Sequence, residues 1–311
     1  MALSCVFVAQ YLPLAPSLTL LPAPVYNLLV LPAPIRVSTI AYLNTVPLTR
    51  SLLRQPPEGM ELHFSVPSRC ADELAGGQAD VGIIPSIEYQ RIPGLAVLAG
   101  PCIASRQRAR SILLLSRAPL EEIRTLAADT SSRTSVALAQ LLLGCRYNRQ
   151  VRLAAHAPDP AAMLADCQAA VIIGDPALLY WQRPLAGVRI TDLVEEWRAW
   201  TGLPFVFAFW AACEAVASPE LARIFCEARD RGVAAVDEIV AEEAAPRGLP
   251  AEFVREYLTG NVHYHLDAEC LAGLERFYSL AAEHGLIDGV RELRLVEPTA
   301  AETAVAAVDA E

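Results

Sequence analysis

No run of Lys or Arg interrupts the acidic balance of this 311-residue chain, in which 35 Asp and Glu outnumber 25 Lys and Arg for a formal charge of −10. Nucleic acid needs a basic face, so it is not expected as a partner. No CxxC pair and no CxxC…HxxxH spacing joins the cysteines at 5, 70, 102, 145, 167, 213, 226 and 270. Scattered in this way they read as small buried apolar residues of a reducing compartment, which excludes a disulfide framework and points to a cytoplasmic location. Charge is missing altogether from Met1 to Ile35, yet Pro13, Pro16, Pro22, Pro24, Pro32 and Pro34 break that apolar stretch. A spanning helix wants about 20 unbroken apolar residues and a secretory signal a basic start, so neither a membrane anchor nor export is expected. Residues 1–34 read as a flexible extension and residues 299–311 as a disordered tail. Histidine is sparse: His63, His156 and His284 stand alone, and "HYH" (263–265) is read as having no carboxylate or cysteine at ligand spacing. No metal is expected.

What is present is ample apolar material, 54% of residues against 19% charged, enough for a large core in two lobes. β-type runs alternate with helical stretches. "IRVST" (35–39), "ELHFSV" (61–66), "ADVGIIP" (79–85), "LAVLA" (95–99), "SILLLS" (111–116), "RTLAAD" (124–129), "VRLAA" (151–155), "AVIIG" (170–174) and "PFVFAFWAA" (204–212) predict strands. Helices are predicted at 47–54 and 67–77, and again from about 218 on, over Pro219 to Ala244, Pro250 to Leu258 and Asp267 to His284. This order implies an α/β fold with mainly parallel sheets. The chain is expected to leave a first lobe (35–115), build a second (116–204) and return (205–298), with a ligand cleft between the lobes at strand ends and helix N-termini.

The densest polar cluster is "DTSSRTSVALAQLLLG" (129–144). An N-cap oxygen from Asp129 or Thr130, followed by an apolar helical face, sets Ser131, Ser132, Arg133, Thr134 and Ser135 at a helix N-terminus. Free N–H groups and the positive end of the helix dipole meet there, a site suited to a carboxylate or phosphate. Partner groups from the first lobe are expected just after strands, in "AYLNTVP" (41–47) and "PSIEY" (85–89).

Six segments in order, "STIAYLNTVP", "GGQADVGIIPSIEY", "CIASRQRARSILLLS", "DTSSRTSVALAQLLL", "VIIGDPALL" and "DLVEEWRAWTGLPFVFAFWA", together resemble the chorismate dehydratase family, the first enzymes of the futalosine route to menaquinone. The resemblance spans roughly Ile35 to Pro298. It implies a two-lobed fold like the type II periplasmic binding proteins, chorismate as the small-molecule substrate, loss of water to give 3-[(1-carboxyvinyl)oxy]benzoate, and no cofactor. With it, Asn44 and Ser86 become the expected catalytic residues. Ser105, Ser111, Ser131, Ser132, Arg133, Thr134, Ser135 and Asp175 become the expected substrate contacts. No general base stands out: Glu88 and Asp175 are the protein candidates, and the substrate's own enolpyruvyl carboxylate is the third. One departure is "RQRAR" (106–110), where the family has a glycine-containing turn; three arginines there are expected to steer an anion into the cleft. The alternatives are a solute-binding protein for a small aromatic carboxylate and another menaquinone-pathway enzyme on the same scaffold.

Overall fold

A computed structural model describes residues 34–299. The extension expected over 1–34 and the tail expected over 299–311 therefore lie, apart from Pro34 and Thr299, outside the described residues. Strand β1 (Ile35–Ile40) leads through a 3-10 turn (Leu43–Thr45) into α1 (Val46–Arg54). Next come β2 (Met60–Ser65), α2 (Pro67–Ala75), β3 (Val81–Pro85), α3 (Ser86–Arg91) and β4 (Leu95–Ser105). The second lobe holds β5 (Ile112–Ser116), β6 (Thr125–Asp129), α4 (Arg133–Leu141), β7 (Arg152–His156), α5 (Pro160–Asp166), β8 (Ala169–Ile173), α6 (Gly174–Gln182), β9 (Arg189–Asp192) and α7 (Leu193–Thr201). The chain returns through β10 (Phe205–Cys213), α8 (Pro219–Ala234), α9 (Val236–Glu243), α10 (Ala251–Glu256), β11 (His263–His265), α11 (Ala268–Glu283) and β12 (Leu295–Val296).

Two sheets result. The first has the order β11-β4-β10-β3-β1-β2 with β12 added beside β4; the second has the order β7-β6-β8-β5-β9. β1 pairs parallel with β2 and β3, and β6 parallel with β7 and β8, while β10 and β5 run antiparallel to their neighbours. The strand Ile112–Ser116, placed by sequence at the end of the first lobe, pairs only in the second sheet. The outgoing crossover is therefore the segment 106–111. Strand β4 also runs past the expected 95–99 to Ser105, and Gly100, at φ 107° where an L side chain would be strained, sits where its register with β10 shifts.

Local signals explain where the elements start. Pro67 and Pro219 sit in the first turns of α2 and α8, where a missing N–H costs nothing. Asp192, 2% exposed, caps α7 by accepting from Val194 N–H and also accepts from Ala109 N–H (3.0 Å) and Arg110 N–H (2.7 Å) of the outgoing crossover. On the way back, Trp197 is fully buried, its Nε1–H donates to Pro204 O (3.0 Å), and its ring meets Phe205 and Phe277 edge-on. Both crossovers are thus fixed by α7.

Inside the first lobe, α8 lies so close to α1 that a Cβ on Gly232 would stand 1.8 Å from the Pro47 carbonyl oxygen. Gly232→Ala should cost about 3 kcal/mol by forcing these helices apart, read as a lower urea midpoint at unchanged slope. A second test uses Glu73, 7% exposed. Burial works to raise its pKa, but hydrogen bonds from Ser38 (2.5 Å), His63 (2.8 Å) and Arg69 (3.0 Å) outweigh that and hold it down at about 2, against an ordinary 4.5. Its contribution to stability is complete above about 4.5 and is lost as pH falls through about 2. Acid titration of Glu73→Gln should show a shallower stability loss across that window than the parent chain.

Candidate functional site

The cleft residues converge because three strands of the two sheets end facing one another. β1 ends at Ile40 and delivers the turn carrying Asn44; β6 ends at Asp129 and delivers α4; β8 ends at Ile173 and delivers α6. Between them lies a cavity lined by residues of both sheets. Its polar lining comes from Tyr42, Asn44, Thr45, Ser132, Thr134 and Ser135, and its apolar lining from Ile40, Pro67, Pro85, Ile103, Ile112, Ile173 and Phe207. Among the described residues, no charged side chain lines it.

The helix of the hydroxyl cluster starts later than expected. Its N-cap is Ser132, not Asp129 or Thr130, and the Ser132 hydroxyl makes no capping bond. Asp129 instead closes a tight turn: its Oδ1 accepts from Ser131 N–H (2.8 Å) and Ser131 Oγ–H (2.6 Å). Asp129 Oδ2 is buried with no hydrogen-bond partner among the described residues, and burial raises this carboxyl's pKa. Ser132, Thr134 and Ser135 thus reach the cavity, while Ser131 serves the turn behind them.

Asn44 lies at the cavity's other side, 8% exposed, its Oδ1 accepting from Thr45 Oγ–H at 3.3 Å. Behind it is Tyr257, whose hydroxyl donates to Ser111 Oγ at 2.8 Å and also contacts Asn44. Burial pushes the Tyr257 pKa up, so it stays a neutral donor. The Ser111 hydroxyl, accepting here, is buried and does not itself line the cavity, although its neighbour Ile112 does. Ser86 is different: fully buried outside the lining, it donates to Val206 O at 2.8 Å and stands 3.5 Å from Thr134 Oγ1. Ser105 is buried nearby, its Oγ without a hydrogen-bond partner among the described residues, and does not line the cavity either.

Three expectations change at this point. Arg133 turns away from the cavity and pairs with Glu88 (2.7 Å) and Asp72 (2.7 Å) of the first lobe, because those carboxylates stand directly across the cleft. Asp175 accepts from Leu43 N–H (2.9 Å) and Arg247 Nε–H (2.9 Å), so it pins the Asn44 turn to α6 and does not line the cavity. The arginines of "RQRAR" are all neutralised: Arg106 by Asp267 and Glu269, Arg108 by Glu195, Arg110 by Glu256. None lines the cavity, so their charge is not offered to a ligand there. The two protein candidates for a base are also committed, Glu88 between Arg91 and Arg133, and Asp175 as just described.

Sequence reading missed Tyr42, Thr45 and Tyr257. The first two belong to the "AYLNTVP" segment, where the strand-end argument selected only the amide. Tyr42 packs on Gly174, which at φ 65° leaves room for the ring where a Cβ would stand 2.8 Å away. Tyr257 lies more than 200 residues from Asn44 in a helical stretch and carries no local signal. "HYH" was misread in another way: extended as β11, it stands beside Asp267 and Cys270.

Asp175→Ala would leave the buried Leu43 N–H and the Arg247 Nε–H without their acceptor. It is expected to lower stability by about 2–3 kcal/mol, measured by denaturant unfolding, with the conservative Asp175→Asn keeping part of it.

Residues 35–283 match the family described as menaquinone biosynthesis. Chorismate dehydratase of Thermus thermophilus is 28% identical over 257 residues, covering 76% of this chain and 91% of the relative. Chorismate dehydratase of Campylobacter jejuni is 30% identical over 245 residues, covering 76% and 93%. In fold the chain is similar to the periplasmic aliphatic sulphonate binding protein of Escherichia coli, with a TM-score of 0.58 at 16% identity, covering 90% of this chain and 98% of that one. The architecture is periplasmic-binding-protein-like.

Proposed function

From the premise that the chain belongs to the menaquinone-biosynthesis family, we propose that it is a chorismate dehydratase, a hydro-lyase acting in the cytoplasm. The observation that carries this reading is a cavity between two lobes, free of charged side chains, with the hydroxyl-rich N-terminus of α4 on one wall and Asn44 on the other.

Chorismate has two carboxylates, a ring hydroxyl and an enolpyruvyl ether. One carboxylate is taken by the hydroxyls of Ser132, Thr134 and Ser135 together with the dipole of α4. Asn44 donates its amide protons to the departing hydroxyl or to the second carboxylate, and Ser111, oriented by Tyr257, adds a further donor. Ser86 acts through Thr134 as a positioning residue, and Ser105 contributes behind the wall. Arg133 and Asp175 hold the lobes around the ligand.

Dehydration breaks the ring C–H next to the ether and the C–O bond of the ring hydroxyl, and the ring becomes aromatic as water leaves. Because the product is aromatic, holding the reactive conformer supplies much of what the enzyme must do. The proton needs an acceptor, and the cavity lining offers none: Glu88 and Asp175 are bound to arginine or to a backbone N–H. The substrate's enolpyruvyl carboxylate, held beside the C–H, takes it.

Chorismate incubated with the purified chain, without added metal or nucleotide, should give the enolpyruvyl-benzoate by chromatography and mass. Binding without turnover would instead support a solute-binding protein, and a different product another enzyme on this scaffold. Asn44→Ala is expected to lower kcat by about 10²–10³-fold, and Ser132→Ala to act mainly on KM. The one titratable group of the lining, Tyr42, is pushed by burial above its ordinary 10 and stays neutral, so kcat should be flat from about pH 6 to about pH 9; a bell-shaped profile would assign the proton to the protein.

A further inference from the structure

Outside the cavity, the strand-to-helix turn that joins β11 to α11 gathers an imidazole, a carboxylate and a thiol. His263 ends up beside Asp267 because "HYH" is extended and Asp267 caps α11; His263 Nε2 lies 2.8 Å from Asp267 Oδ2, and Cys270 N–H donates to Asp267 Oδ1 at 3.0 Å. One donor atom each of His263, Asp267 and Cys270 lies within 4.8 Å of the other two. A second thiol, Cys102 of β4, faces Cys270 and stands 3.8 Å from His263 O. His263 is reached from a separate cavity, which it lines with His265, Val236, Leu258 and Val262, the two imidazole rings 5.8 Å apart; Cys270 is fully buried behind it.

We propose that His263, Asp267 and Cys270 form a binding site for a divalent transition-metal ion of the zinc class. A mixed nitrogen, oxygen and sulfur donor set suits such a borderline-soft ion and does not suit magnesium or calcium, which take oxygen ligands. The fourth position falls to a water, Cys102 being fully buried with its thiol toward the His263 carbonyl. One cation already stands at this site: Arg106 bonds Asp267 Oδ2 at 2.5 Å, pairs with Glu269, and lies 3.4 Å from His263 Nε2. Metal and Arg106 compete for the same carboxylate oxygen, and Arg106 keeps Glu269 when the metal takes Asp267. Arg106 directly follows Ser105 in the outgoing crossover, so metal binding is felt where the two lobes join.

The test uses the untagged full chain, titrated with Co²⁺ and separately with Zn²⁺. A thiolate-to-cobalt charge-transfer band in the near ultraviolet, and about one zinc per chain by mass spectrometry after dialysis, are expected. Cys270→Ser should abolish the band; His263→Ala, at a half-buried ring that tolerates truncation, should weaken zinc binding by at least about ten-fold. Arg106→Gln should tighten it. No retained zinc, a cobalt band that survives Cys270→Ser, or affinity untouched by His263→Ala in a chain of unchanged thermal midpoint would each overturn the proposal.

Discussion

The contact on which the cleft depends is the docking of the N-terminus of α4 against the N-terminus of α3. Thr134 Oγ1 accepts the Ile87 N–H at 3.2 Å, Ser68 N–H donates to Ser131 O at 3.1 Å, and Arg133 spans to Glu88 and Asp72. These bonds join α2 and α3 of one sheet to α4 of the other. On the opposite rim the Leu43 N–H and Asp175 do the same. Between the two rims lies the cavity, and without them the hydroxyls of α4 and the amide of Asn44 would belong to separate lobes.

A second property follows from how charge is distributed. Every cation in the chain is arginine, and around the cleft each guanidinium is paired with a carboxylate, which leaves a lining made of neutral donors. An anion in such a place is held by hydrogen bonds and a helix dipole instead of by a formal counter-charge. In the proposed reaction the enolpyruvyl carboxylate, away from α4, is the acceptor of the ring proton, and no guanidinium of the lining is there to lower its pKa.

Much of this was legible in the sequence because it is local. The alternation of short apolar runs with capped helices marked nearly every strand, and the hydroxyl cluster after Asp129 declared a helix N-terminus. What was not legible is pairing between distant segments. Nothing near Arg133 says that Glu88 and Asp72 lie opposite, and nothing near "RQRAR" says that Asp267, Glu269, Glu195 and Glu256 will neutralise it. A lone charged residue in a motif looks like a ligand contact until its partner is known. Likewise β5 seemed to close the first lobe because it follows β4 closely, whereas its antiparallel pairing with β8 and β9 puts it in the second sheet. Tyr257 became visible only through the fold, as the hydroxyl that orients Ser111.

The most direct measurement is a crystal structure of the Asn44→Ala chain, slowed enough to retain chorismate, with the ligand in the cleft. The account predicts one carboxylate within hydrogen-bond distance of Ser132, Thr134 and Ser135, and the enolpyruvyl carboxylate folded toward the ring C–H. A ligand whose carboxylates instead meet arginine side chains, with the hydroxyls of α4 left facing water, would contradict it.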